Sequence, residues 1–146
     1  MILLLGIIEQ LKATREEKLF AELEINASQF AVLNHFTHTP ERQWTVSELC
    51  SVMEMNQPGI TKIVQRLNEM KLLATTADKK DARKKKLRIT TKGLEYCEYT
   101  VSLLMPDIHQ MLWDWPDDEL ADFSRHLDKL KDWLDDHRET VILPKK

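Results

Sequence analysis

The sequence predicts a mostly helical protein that carries one small β-hairpin. Three observations predict this. Glycine is scarce, at 3 in 146 residues, and helix breakers lie far apart. Apolar residues recur three and four apart through most of the chain, the spacing of one helix face. Period-two alternation is confined to two short runs, residues 72–76 and 86–90, joined by a lysine-rich loop at 77–85.

The bulk properties set the class. A chain of 146 residues is most simply one domain, here residues 1–146, and its 42% hydrophobic and 31% charged content is ordinary for a globular protein. The opening MILLLGII is too short to span a bilayer and meets Glu9 at once. It also lacks a basic flank and a small-residue cleavage site, so a signal peptide is not expected and a cytoplasmic protein is. Cys50 and Cys97 fall at apolar positions of helical patterns and read as reduced core residues, not as a disulfide.

The elements follow in order. Residues 2–23 read as a helix in which Leu4, Ile7, Ile8 and Leu11 form one apolar face, and Leu19, Phe20 and Leu23 resume it after a polar middle. So apolar a start suggests packing against another subunit. Asn26 with Gln29 makes a capping box that opens the next helix, with Phe30, Leu33 and Phe36 inward and Pro40 as the stop. His35 and His38 could share a face, but two histidines without a third ligand do not make a metal site. Residues 43–45 read as a short strand. Thr45 with Glu48 forms a second capping box before a helix of barely two turns, with Val46, Leu49, Cys50 and Met53 inward. After a tight turn Asn56 can cap a further helix, and Pro58 fits in its first turn. Two short helices about a tight turn have helix-turn-helix spacing, and the hairpin after them makes the fold class a winged helix-turn-helix.

The second helix of that pair has two chemically distinct sides. Ile60, Ile63, Val64 and Leu67 form the inward stripe. Opposite them stand Gln57, Thr61, Lys62, Gln65, Arg66 and Asn68, groups that hydrogen-bond base edges and phosphates. Gly59 near the start of the helix would let backbone N–H groups approach a phosphate closely. From Lys62 to Lys92 eleven cations face only Glu69, Asp78 and Asp81. The segment therefore carries +8 in a chain of net −3, leaving about −11 for the rest. A local cationic surface on an acidic protein points to a polyanion. In the loop, Lys79, Lys80, Lys84 and Lys85 would supply phosphate charge, as would Arg66 on the helix. Arg83 would enter the minor groove, and Asp81 would orient it.

Thr91 is expected to cap a long helix with Leu94, Cys97, Val101, Leu104, Ile108 and Met111 at heptad spacing, kinked or locally broken at Pro106. Pro116 followed by Asp117, Asp118 and Glu119 is a strong helix start, and Leu120, Phe123, Leu127, Leu130 and Leu134 repeat the seam. Residues 105–139 hold eleven acids against four bases, so this half should face away from DNA. The organisation expected is a DNA-binding lobe at 26–93 flanked by dimerisation helices at 1–23 and 92–140, with residues 141–146 frayed.

These residues resemble the MarR (multiple antibiotic resistance regulator) family of bacterial transcription factors. The resemblance is carried by NASQFAVL at 26–33, TVSELC at 45–50 and NQPGITKIVQRL at 56–67. It rests above all on Asp81 and Arg83 followed by Leu87, Ile89, Thr90 and Gly93, which look like the family's wing signature. The resemblance implies an obligate homodimer with recognition helices, here residues 56–70, in successive major grooves of a pseudo-palindromic operator. Wings would touch the flanking minor grooves. It further implies a repressor that releases DNA when a small aromatic or phenolic effector binds, with no other cofactor. Lys71 departs from the family's usual glycine, so the helix end must differ or hold Lys71 in a left-handed conformation at about 1–2 kcal/mol. No cysteine lies in the first helix, as the peroxide-sensing branch would require, and no ligand cluster supports the zinc-sensing branch.

Two other classes compete. A winged helix can serve as a protein-interaction module without DNA, but a protein partner rarely needs this cation density. An enzyme would need a nucleophile beside a base, a phosphate loop or metal spacing, and the sequence shows none. His109, His126 and His137 lie in acidic helices and read as surface groups.

Overall fold

Reciprocal capping boxes set where two of the helices begin. In this computed structural model, which describes residues 1–77 and 85–140, Asn26 accepts from the Gln29 backbone N–H at 2.9 Å while Gln29 accepts from Asn26 N–H at 3.0 Å. Thr45 and Glu48 repeat the arrangement at 3.3 and 2.7 Å. Each box satisfies two backbone donors that a helix start leaves open.

The order is α1 (Ile2–Phe20), α2 (Ala27–His35), a 3₁₀ turn (Phe36–His38), α3 (Val46–Met53), α4 (Gln57–Glu69), β1 (Leu73–Ala77), β2 (Lys85–Ile89), α5 (Thr91–Met111) and α6 (Asp117–Asp136). α1 ends before Leu23, because the chain turns at Ala21–Leu23 to bury Ile25 in the core. The chain divides into two compact units, Met1–Met105 and Pro106–Lys146.

In the first unit, β1 and β2 form an antiparallel pair in which Leu73 faces Ile89 and Ala77 faces Lys85, each strand one residue from its expected bounds. The strand expected at 43–45 is a single bridge, Trp44 to Leu87, with both backbone bonds made at 2.9 and 2.7 Å. Leu33, Phe36, Leu49, Ile60, Leu67, Leu72 and Leu87 lie fully buried between α2, α3, α4 and the hairpin. Cys97 joins this core, and burial pushes its thiol up to about 11, far from reactive thiolate. Arg42 stacks over one face of Trp44 at 3.6 Å, and His35 meets the same ring edge-on at 4.6 Å.

The start of α5 corrects one expectation. Its cap is Thr90, whose hydroxyl accepts from Gly93 N–H at 3.0 Å, not Thr91. Gly93 decides the register. A Cβ there would lie 2.2 Å from the Leu72 carbonyl oxygen, so only glycine lets α5 seat against the turn between α4 and β1. α5 spans Pro106 as one helix. Ser102, whose carbonyl loses its partner there, is exposed, so water can replace the missing N–H.

In the second unit α6 starts at Pro116 with Asp117, Asp118 and Glu119 in its first turn, anions at the positive end of the helix dipole. Trp115 and Phe123 rings meet at 5.4 Å, and Trp133 stacks on His137 at 4.4 Å. No residue of α6 is buried: Phe123 is 44%, Leu127 41% and Leu134 54% exposed. No helix among the described residues is long and apolar enough to cross a membrane.

Candidate nucleic-acid interface

α3 and α4 are joined by a turn whose backbone is unusual. Glu54 takes a left-handed conformation at φ 52°, and Met55 N–H returns to the Cys50 carbonyl, closing α3 with a Schellman-type stop. The reversal brings Asn56 to the start of α4, where its side chain accepts from Gly59 N–H at 2.8 Å. Pro58 sits in the first turn, where its missing N–H is harmless.

α4 divides as its pattern requires. Ile60, Ile63, Val64 and Leu67 are buried, while Gln57, Pro58, Thr61, Lys62, Gln65 and Arg66 are exposed and Gly59 is half-buried. These residues share one surface from the first turn to the last, but they are not equally available. The Thr61 hydroxyl donates to the Gln57 carbonyl at 2.7 Å, which leaves its lone pairs as acceptors. Gln65 donates to the Glu69 carboxylate at 3.1 Å. The Gly59 N–H, read from the sequence as a backbone donor for phosphate, already serves the Asn56 cap. The glycine also gives that cap room, since a Cβ would lie 3.1 Å from Asn56 Oδ1.

The hairpin rises directly after this helix. Lys85 is exposed where the pairing begins, and Arg88 is exposed further along β2. Lys79, Lys80, Asp81, Arg83 and Lys84 lie outside the described residues, as do residues 141–146.

Sequence reasoning missed a set of polar contacts around the last turn of α4. Arg66 Nη2 reaches the Glu24 carbonyl at 3.4 Å. Asn68 Oδ1 accepts from Thr75 Oγ1 at 3.1 Å, and its Nδ2 donates to the Val64 carbonyl at 2.9 Å. Lys92 Nζ donates to the Met70 carbonyl at 2.9 Å, so one of the eleven cations is spent on a helix end. Partners up to 42 residues apart leave no local pattern that could have announced them.

Among the described residues no three His, Cys, Asp or Glu side chains come together to hold a metal, and the His35 and His38 rings stand 6.5 Å apart. Burial lowers the His35 pKa, with His38 and Arg42 adding to the effect.

Comparison with known proteins places this architecture. Residues 23–84 match the family model described as MarR family. The apo structure of wild-type MarR from E. coli is 26% identical over 87% of this chain and 93% of that chain, with a TM-score of 0.74. A cysteine-to-serine mutant of the E. coli protein complexed with operator DNA is also 26% identical, covering 87% and 90% with a TM-score of 0.70. A MarR family protein from Bacillus stearothermophilus is 26% identical over 90% of each chain, with a TM-score of 0.73. No curated relative matches the chain by sequence.

Proposed function

We propose, on the premise that this chain is a MarR-family winged-helix regulator, that it represses transcription by binding a pseudo-palindromic operator as a homodimer. The observation that carries the reading is the two-sided α4. Its apolar stripe is locked in the core, and its opposite face presents amides, a hydroxyl and a cation beside a cationic hairpin. Gln57, Pro58, Thr61, Lys62 and Gln65 read bases or adjacent phosphates, while Gly59 is kept by the Asn56 cap. Lys79, Lys80, Lys84 and Lys85 supply phosphate charge, and Arg83, held by Asp81, enters the minor groove.

Homodimerisation explains the apolar faces that each unit leaves exposed on its own. α1 exposes Leu3, Leu4, Ile8 and Leu11, and α6 exposes Phe123, Leu127 and Leu134. Fully burying an exposed side chain of this kind is worth about 1.5–3 kcal/mol. These residues, two-fifths to three-quarters exposed, would each gain part of that, so a second copy of the chain is a stabiliser. The protein acts by binding in the cytoplasm, not by catalysis, and a small aromatic effector sets its occupancy of DNA.

The test is a salt titration of DNA binding. Wild-type affinity falls steeply with salt, Lys84→Ala lowers the slope by about one, and Arg83→Ala weakens binding outright. A flat salt response would favour a protein-interaction module, and unchanged affinity in Arg83→Ala would remove the wing from the interface.

A further inference from the structure

We propose that the last turn of the recognition helix is a polar junction, in which Asn68 positions the wing and Arg66 positions the α1–α2 turn, neither of them touching DNA. The inference rests on the DNA-binding reading above and moves Arg66 from the phosphate contact its sequence position suggests to a structural role.

The Asn68 side chain is used at both ends. Its oxygen accepts from the Thr75 hydroxyl on β1, and its nitrogen donates to the Val64 carbonyl within α4. A carboxamide places an acceptor and a donor on separate atoms, so it can serve the strand and the helix at once. An aspartate could accept but not donate, and an apolar residue could do neither. Thr75 lies on the strand that leads into the wing, so this one side chain ties the wing's root to the helix that reads bases. On the other flank, Arg66 Nη2 bonds the Glu24 carbonyl in the α1–α2 turn. The carbonyls that end α4 are closed from a third direction, with Lys92 on Met70 and the Thr90 hydroxyl on Lys71 at 2.8 Å.

Position along the helix supports the same assignment. Arg66 lies nine residues beyond Gln57, about 14 Å along the axis at ~1.5 Å per residue. Recognition helices read bases with their N-terminal residues. Glu69, exposed on the same last turn and accepting from Gln65, adds a carboxylate that a phosphate would avoid.

The probe is a duplex that the wild-type protein selects from a randomised library, used at full length and in a version shortened to remove the base pairs flanking the half-sites. Asn68→Ala and Thr75→Val should each weaken binding to the full duplex by about threefold to tenfold, the range one neutral hydrogen bond supports. The double variant should bind no more weakly than either single one, Thr75→Ser should bind as wild type does, and the penalty should vanish on the shortened duplex. Arg66→Ala should weaken binding without changing the salt slope, because no phosphate contact is lost. A slope reduced by about one in Arg66→Ala, additive effects of Asn68→Ala and Thr75→Val, or wild-type affinity in these variants would overturn the inference alone. A wild-type protein that selects no duplex overturns the DNA-binding reading, and this inference with it.

Discussion

Replacing Lys71 by glycine should stabilise the protein. Lys71 follows α4 with φ 62°, a left-handed conformation that an L side chain resists. Two backbone bonds hold it there, Leu72 N–H to the Leu67 carbonyl and Lys71 N–H to the Asn68 carbonyl, both at 2.9 Å. Together they form a Schellman stop, and Leu67 and Leu72, both fully buried, supply the apolar contact that accompanies it. The left-handed conformation costs about 1–2 kcal/mol in a residue with a Cβ. Glycine removes that cost but frees the unfolded chain, which returns about 0.4–1 kcal/mol. The net gain is about 0.5–1 kcal/mol, a rise in Tm of about 2–4 °C for a chain of this size. The Lys71 carbonyl keeps its bond from Thr90, since the substitution leaves the backbone intact. Thermal unfolding followed by circular dichroism, at matched protein concentration, measures the shift, and Lys71→Val serves as the opposite control. A glycine variant at or below wild type, with the valine variant unchanged, would refute the reasoning.

Gly93→Ala should destabilise by at least about 3 kcal/mol, the upper end for overpacking, because the clash is with the Leu72 backbone and not a movable side chain; urea unfolding measures it. His35 should make stability fall in mild acid. Its folded pKa lies below 6.5, so its contribution is complete above 6.5 and is lost as pH drops toward the folded value. A pH series of unfolding midpoints should show His35→Phe with a flatter profile through that window. Leu127→Asp, on the exposed seam of α6, should shift the protein from dimer to monomer in sedimentation velocity; a variant that stays dimeric would exclude α6 from the interface.

Much of the fold was legible because its signals are local. The capping boxes at Asn26 and Thr45 each lie within one helical turn, and both form as the spacing requires. The stripe of Ile60, Ile63, Val64 and Leu67 is likewise a property of a single helix, and its burial fixes which face α4 presents. Errors arose where two neighbouring residues were equally suited and a distant contact chose between them. Thr90 and Thr91 can both cap a helix, and the packing of Gly93 on Leu72 selected Thr90. Periodicity carried the first helix to Leu23, but burial of Ile25 turned the chain earlier. In the candidate site the exposed face was readable, whereas the use of Arg66, Asn68 and Lys92 was not. Composition reports that a cation exists; only the fold reports that a carbonyl from another element has already claimed it.

The most direct test of the account is selection of duplexes from a randomised library by the wild-type protein, followed by footprinting of the winner. The account predicts two half-sites related by a two-fold axis, their centres about 10 base pairs or a multiple of that apart, protected by two copies of the chain. A library that shows no enrichment, or a single unrepeated site protected by one copy, would contradict it.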